Sequence, residues 1–155
     1  MALTYRPARS TDLAAMSRVA LAAKRTWGYP EGWIELWRDE LEYSAETLDR
    51  HEIYCAEWVG AIIGVVSISI DGEVGEVEGL WVLPEHGGRG VGRALMALAI
   101  QRAAARGASV LRIASDPHAE GFYRRLGARL VGYVESLPAG RRLPRLELEL
   151  PLVGA

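Results

Sequence analysis

Hydrophobic positions in this chain change their period near Ile53, from steps of three and four to steps of two. Before that point, Leu3 to Arg6 reads as a short strand ended by Pro7, and Ser10 or Thr11, with Asp12 behind, supplies an N-cap. Leu13, Met16, Ala20, Ala23 and Trp27 then recur at helical spacing until Gly28. Pro30 and Glu31 open a second helix with Trp33, Trp37 and Leu41 on one face, and Ser44 to Arg50 forms another short one. After Ile53 the β-branched content rises: Ile53–Trp58, Ala61–Ile70 and Val74–Leu83 read as strands, joined at Val59-Gly60 and at the hairpin signal Asp71-Gly72. A helix over Gly90–Arg106, a strand at Val110–Ala114 and a helix over Pro117–Leu126 follow, the helices closed by Gly107 and Gly127. Strands at Leu130–Val134 and Leu146–Leu150 end the pattern, separated by an expected loop at Glu135–Pro144. The sum is an α/β fold on a mixed sheet of about seven strands flanked by about four helices, hairpins first and βαβ crossovers after.

At 155 residues the chain fits one domain over 1–155, able to bury roughly two thirds of its unfolded surface. Within it, helices cover about 11–50, a central unit about 53–128, and late strands about 129–151. A net charge of −2 gives no reason to expect nucleic acid or an anionic membrane as partner. The single Cys55 cannot form an internal disulfide, and neither a signal-like start nor a bilayer-length apolar run is evident. A reducing cytoplasm is therefore the expected location.

Chemistry concentrates where the Val74–Leu83 strand enters Pro84-Glu85-His86-Gly87-Gly88-Arg89-Gly90-Val91-Gly92-Arg93-Ala94 and continues as helix. Gly87, Gly88, Gly90 and Gly92 can take φ > 0 and let a ligand lie against the backbone, while the helix start adds free amides and positive dipole. That combination favours a phosphate or pyrophosphate. A Walker loop is excluded, because the only lysine is Lys24, far upstream. The dinucleotide fingerprint fails as well: counting from Gly88 its sixth residue is Arg93, and from Gly90 it is Leu95.

The remaining pattern, Gly-x-Gly-x-Gly after Leu80-Trp81-Val82-Leu83-Pro84, resembles the acyl-CoA pyrophosphate loop of the GNAT family of N-acetyltransferases, with Gly87 where the family carries Arg or Gln. A second segment, Asp116 to Ala128, resembles the family's Asn-x-x-Ala-x-x-Phe-Tyr-x-x-x-Gly-Phe run, with Asp116 for the Asn and Ala128 for the last aromatic. The resemblance covers Ile53 to Ala128 well and both ends loosely. It implies an acetyl-CoA donor, no metal, a primary amine of a small molecule or peptide as acceptor, direct attack in a ternary complex, and a homodimer.

By the same resemblance, Gly87 to Ala94 would cradle the diphosphate, with Arg89 and Arg93 flanking it. Backbone groups of Leu80, Trp81 and Val82 would meet the pantetheine arm, the Val82 N–H facing the oxyanion. Asp116, His118, Phe122 and Arg125, or its neighbour Arg124, would complete the cofactor site. Tyr123 would be the general acid, since a phenol of pKa about 10 can donate to a thiolate of pKa about 8.5. Glu78 is the expected base, sharing a strand face with Glu76, Leu80 and Val82 by the period-two rule, and Asp116 is the competing carboxylate. Trp27 and Tyr29 are expected on the acceptor wall, Trp33 and Trp37 in the core, and Arg141 and Arg142 near an acceptor carboxylate. His86 and His118 have no spaced partner and do not suggest zinc. Two other readings stay open at this level: a non-catalytic CoA-binding sensor or interaction module, and a Rossmann-type nucleotide enzyme with Asp116 on the ribose.

Overall fold

The computed structural model describes residues 3–151, so the ends of the domain expected over 1–155 lie outside the described residues. In chain order the elements are β1 (Leu3–Pro7), α1 (Leu13–Arg25), α2 (Glu31–Leu41), α3 (Ala45–Arg50), β2 (Glu52–Trp58), β3 (Ala61–Asp71), β4 (Val74–Val82), α4 (Val91–Ala105), β5 (Val110–Ala114), α5 (Glu120–Arg125), β6 (Arg129–Ser136) and β7 (Arg141–Glu149). The seven strands form one sheet in the order β1-β2-β3-β4-β5-β7-β6, antiparallel at every neighbour except β4 and β5. The α/β architecture with a mixed sheet is as the sequence predicts. This order is not the doubly wound parallel sheet of a Rossmann enzyme, and that reading falls.

Two apolar layers cover the sheet. On one face Val91, Leu95, Met96, Ala99 and Ala103 of α4 bury against Val66, Ile68 and Ile113. On the other, Met16, Val19 and Ala20 of α1 and Ile34, Trp37 and Leu41 of α2 close over Ile53, Cys55 and Val65. The small side chains of α4 let that helix lie close to the strands. At Gly64 a Cβ would already come within 3.0 Å of Leu95 Cδ1.

Three expectations change. The N-cap expected at Ser10 or Thr11 is instead a single turn of 3-10 helix, Ser10–Asp12. Asp12 turns its carboxylate to the Arg9 N–H at 2.7 Å and to Arg6 at 2.8 Å, because Arg6 is also held by Glu57 across the β1–β2 pair.

The loop expected at Glu135–Pro144 is largely strand. β6 runs to Ser136 and β7 starts at Arg141, leaving a tight turn that includes a cis Leu137–Pro138 bond. Pro144 lies inside β7, between β5 and β6, where a missing N–H would ordinarily break a ladder. Here the β5 pairing ends at Ala114 opposite Arg145, and the Pro144 carbonyl accepts from Ser115 N–H at 2.9 Å. The absent donor therefore falls on the β5 side just past the last paired residue.

The third change is at Glu78. Ser67 pairs with Gly79 and Ile68 with Val77, so Glu78 is the extra residue of a β-bulge. One added residue reverses the alternation beyond it. Val77, Leu80 and Val82 pack on the α4 face, and Trp81 packs on the α1–α2 face. Leu80 and Val82 consequently do not share the face of Glu78, contrary to the period-two expectation.

Gly79, next to the bulge, has no room for a side chain: a Cβ there would sit 2.8 Å from Trp81 Nε1, 3.0 Å from the Tyr43 hydroxyl and 3.2 Å from Ser67 Oγ. Gly79→Ala is expected to cost about 1–2 kcal/mol through overpacking. Thermal unfolding should show a melting temperature lowered by about 2–8 °C.

Candidate active site

The parallel pair β4/β5 lasts only from Val74–Val110 to Val77–Ile113. Beyond it the strands part at the bulge. From Glu78 to Val82, β4 keeps β3 on one edge while its other edge faces an opening, and the backbone groups on that edge have no strand partner. Ala114, Ser115 and Asp116 form the opposite wall of a cavity of about 100 Å³, with Tyr123 of α5 and Trp27 also lining it. Tyr123 is 6% exposed. Burial, reinforced by the negative charge of Asp116, pushes its phenol well above the ordinary range, so the hydroxyl holds its proton through neutral pH.

The glycine turn lies at the far end of this opening. Gly88 and Gly90 take φ of +76° and +79° with open space around the missing Cβ, so conformation rather than room calls for glycine there. Gly87 does not follow the expected positive φ: it sits at −63° and closes the 3-10 turn Pro84–His86 through its N–H to Pro84 O. Between Gly87 and Ala94, whose N–H goes to Gly90 O at 3.0 Å, no amide closes a backbone hydrogen bond among the described residues. The amides of Gly88, Arg89, Gly90, Val91, Gly92 and Arg93 are thus available at the N-terminus of a 15-residue helix. Ala94, grouped with them by its sequence position, is already engaged in the helix.

Aromatic side chains support the turn. Phe122 lies where a Cβ on Gly92 would meet its ring at 3.5 Å, and it packs edge-on to Tyr123 at 5.2 Å. Trp58 of β2 stands between His86, ring to ring at 5.1 Å, and the Arg89 guanidinium at 5.9 Å. Arg93 and Arg125 are exposed beside the turn and on α5, while Arg124 is paired with Glu120 at 3.2 Å.

On the α1–α2 side of the opening is a charged cluster centred on Asp116. Its carboxylate accepts from Lys24 Nζ at 2.7 Å, from the Tyr29 hydroxyl at 3.0 Å and from the His118 N–H at 2.9 Å, with His118 Nδ1 at 2.8 Å. Burial alone would raise the Asp116 carboxyl, but the Lys24 bond and charge outweigh it and hold the group below its usual value. Burial conversely lowers the Lys24 ammonium, with Asp116 pulling it back up. That ammonium stands 4.5 Å from the Trp37 ring. A carboxylate so occupied is poorly suited to take a further proton. Glu78 accepts from Ser69 Oγ at 2.7 Å and opens onto a hollow of about 160 Å³ shared with Lys24, Trp37, Glu40, Trp81 and Arg141.

The residues expected on the acceptor wall are engaged with one another and with Asp116. Trp27 is exposed and stacked on His118 at 4.8 Å, and Tyr29 bonds Asp116 rather than standing free. His118, expected at the cofactor, has its Nδ1 committed to this cluster. Trp37 is buried, its indole N–H donating to Leu137 O at 2.8 Å. Arg141 points inward, whereas Arg142 lies over the exposed Tyr133 ring at 5.1 Å. Lys24 was the residue missed. Its signal was present: it continues the four-residue series Met16, Ala20 on the buried face of α1.

The profile of the Acetyltransferase (GNAT) family matches residues 18–128, most of the chain. The protein belongs to the GNAT acetyltransferase family. Solved structures share its fold. A GCN5-related N-acetyltransferase from Rhodopseudomonas palustris is 23% identical, with TM-score 0.81 over 97% of this chain and 99% of that one. PaiA N-acetyltransferase from Thermoplasma acidophilum, solved with coenzyme A, is 17% identical, with TM-score 0.77 over 96% and 99%. A GNAT acetyltransferase from Elizabethkingia anophelis with acetyl-CoA bound is 19% identical, with TM-score 0.68 over 96% and 98%. No curated protein matches the chain in sequence. Among the described residues of this GNAT protein no helix is long and apolar enough to cross a membrane.

Lys24→Met should leave Asp116 buried without its closest cation and destabilise the fold by about 2–3 kcal/mol, Arg141 and His118 offsetting part of the loss. Because the folded-state carboxyl is depressed, the stability it contributes is present above its unfolded value and is lost as pH falls below about 4. In the variant the carboxyl is held less far down, so acid unfolding followed by circular dichroism should begin at higher pH than in the wild type.

Proposed function

We propose that this protein transfers the acetyl group of acetyl-CoA to a primary amine of a small molecule or peptide, by direct attack with both substrates bound. The observation that carries this reading is the conjunction of three features: the unpaired amides at the start of α4, the unpaired edge of β4 beyond Val77, and the hydroxyl of the buried Tyr123 in the cavity between β4 and β5. The amides of Gly88 to Arg93 fit a diphosphate. The free edge of Leu80, Trp81 and Val82 fits the amide groups of a pantetheine arm as an added strand would. Bound acetyl-CoA would supply an acyl carbon activated as a thioester.

The chain's own residues then divide the proton work. Glu78 takes the proton of the acceptor ammonium, directly or through water, at the end of the hollow it shares with Glu40. A gap-facing amide of β4, that of Val82 by its position, stabilises charge on the acyl oxygen. Tyr123 holds a proton for the departing sulfur, and its burial keeps that proton in place. No acyl-enzyme is needed, since Cys55 is buried and its thiol is pushed up to about 12 by burial, with the Asp12 charge adding to it. The buried free thiol supports a reducing, cytoplasmic location. The open β6 edge, with Val131 and Tyr133 exposed, supports a homodimer contact.

Tyr123→Phe is expected to lower kcat at least ~10-fold, about 1.4 kcal/mol, with an unchanged CoA-induced melting shift. Unchanged turnover would remove Tyr123 from the chemistry. In pH–rate profiles, Glu78→Gln should lose the acidic limb and Asp116→Asn should keep it; the reverse pattern would transfer the base to Asp116. A melting panel of CoA, acetyl-CoA and NAD(P), followed by thiol detection with amines, tests donor binding and transfer separately. Stabilisation by CoA without thiol release would favour a sensor.

A further inference from the structure

Resting on the reading that the hollow beside Glu78 receives the amine, we infer that the acceptor also carries a carboxylate close to that amine, as an amino acid does, and that Arg141 selects it. The hollow is polarised. At one end Glu78 and Glu40 have no lysine or arginine within ion-pair distance among the described residues, and the imidazole of His51 lies 3.7 Å from Glu78. At the other end two basic side chains, Lys24 and Arg141, have a single carboxylate, Asp116, within ion-pair distance, with Glu40 acting on Lys24 at longer range.

That carboxylate is used up. One oxygen takes the His118 N–H and faces His118 Nδ1, the other takes Lys24 at 2.7 Å, and the Tyr29 hydroxyl lies within 3.1 Å of both. Arg141 reaches the same oxygen only at 3.5 Å. Its remaining partners are neutral hydroxyls, Tyr29 at 3.1 Å and Ser136 at 3.3 Å. Even so the side chain is 11% exposed and lies over the rings of Trp37 at 4.5 Å and Tyr29 at 5.2 Å. A guanidinium that is largely enclosed, oriented by two rings and short of a close counter-ion has donors to spare in the planar geometry that a carboxylate matches.

An amine–carboxylate acceptor satisfies both ends, its ammonium toward Glu78 and Glu40 and its carboxylate on Arg141. An acceptor with a second ammonium in place of the carboxylate would bring that charge against Arg141 and Lys24, at a cost in affinity. The hollow, about 160 Å³, takes a small molecule rather than a folded surface.

The test pairs each amino acid with the amine that lacks only its carboxylate: lysine with cadaverine, phenylalanine with phenethylamine. Thiol release gives kcat/KM for each, and calorimetric titration into the CoA-loaded protein gives binding. The wild type should favour the carboxylate member at least ~10-fold by both measures. Arg141→Gln should bring the ratio to about one, Arg141→Lys should leave it between, and Arg142→Gln, at the outward-facing neighbour, should preserve it. Should Arg141→Gln not fold, the wild-type ratio and the Arg141→Lys value still decide. Equal or preferred use of the decarboxylated amines overturns the inference while leaving acetyl transfer intact, as does failure of every acid to bind. Absence of CoA binding or of any thiol release strikes the parent reading instead.

Discussion

The structure depends on where the β4–β5 ladder stops. A parallel sheet normally satisfies its backbone on both edges of an inner strand, and leaving five residues of such a strand open costs unmet hydrogen bonds. This chain accepts that cost at Glu78–Val82 by placing a bulge at Glu78, immediately after the last pair, Val77–Ile113. The bulge turns β4 away from β5 and sends Trp81 and the Glu78 carboxylate to the α1–α2 side while Leu80 and Val82 stay with the α4 core. Opening and polarity of the site thus come from one inserted residue. In the proposed reaction, donor and acceptor would meet through this gap from opposite faces of the sheet.

The gap must also be held open at a fixed width. Asp116 does this at the end of β5, tying α1 through Lys24, the α1–α2 connection through Tyr29 and β7 through Arg141. Such a buried cluster contributes little net stability over an apolar packing of similar volume, yet it specifies geometry, since each partner is costly to leave unpaired. Its surplus of positive charge is then a feature a substrate can use. Among the described residues, Glu78 accepts from Ser69 alone and is flanked by His51, so it lies outside this network.

Local rules reached far along this chain. Element order, the glycine turn ahead of α4, the Phe122-Tyr123 pair and the mixed sheet were all legible, because each rests on neighbours in sequence: period, caps, turn residues and helix starts. Local rules failed at Pro144, read as loop because proline breaks ladders; its missing donor falls just beyond the β5 pairing, which no window of sequence reveals. They failed again at Gly87, whose φ is set by the 3-10 turn before it.

The sequence by itself therefore determined the glycine turn at the start of α4 and the identity of the strands around it, since backbone conformation and helix termini are properties of short segments. Only the tertiary structure decided which way Glu78 and Leu80 face, that Lys24 and Arg141 meet Asp116 from positions 92 and 25 residues away, and that Arg141 rather than Arg142 enters the hollow. Those are consequences of register and burial, in which one shifted pair reverses a face and one distant carboxylate changes the charge a side chain must answer.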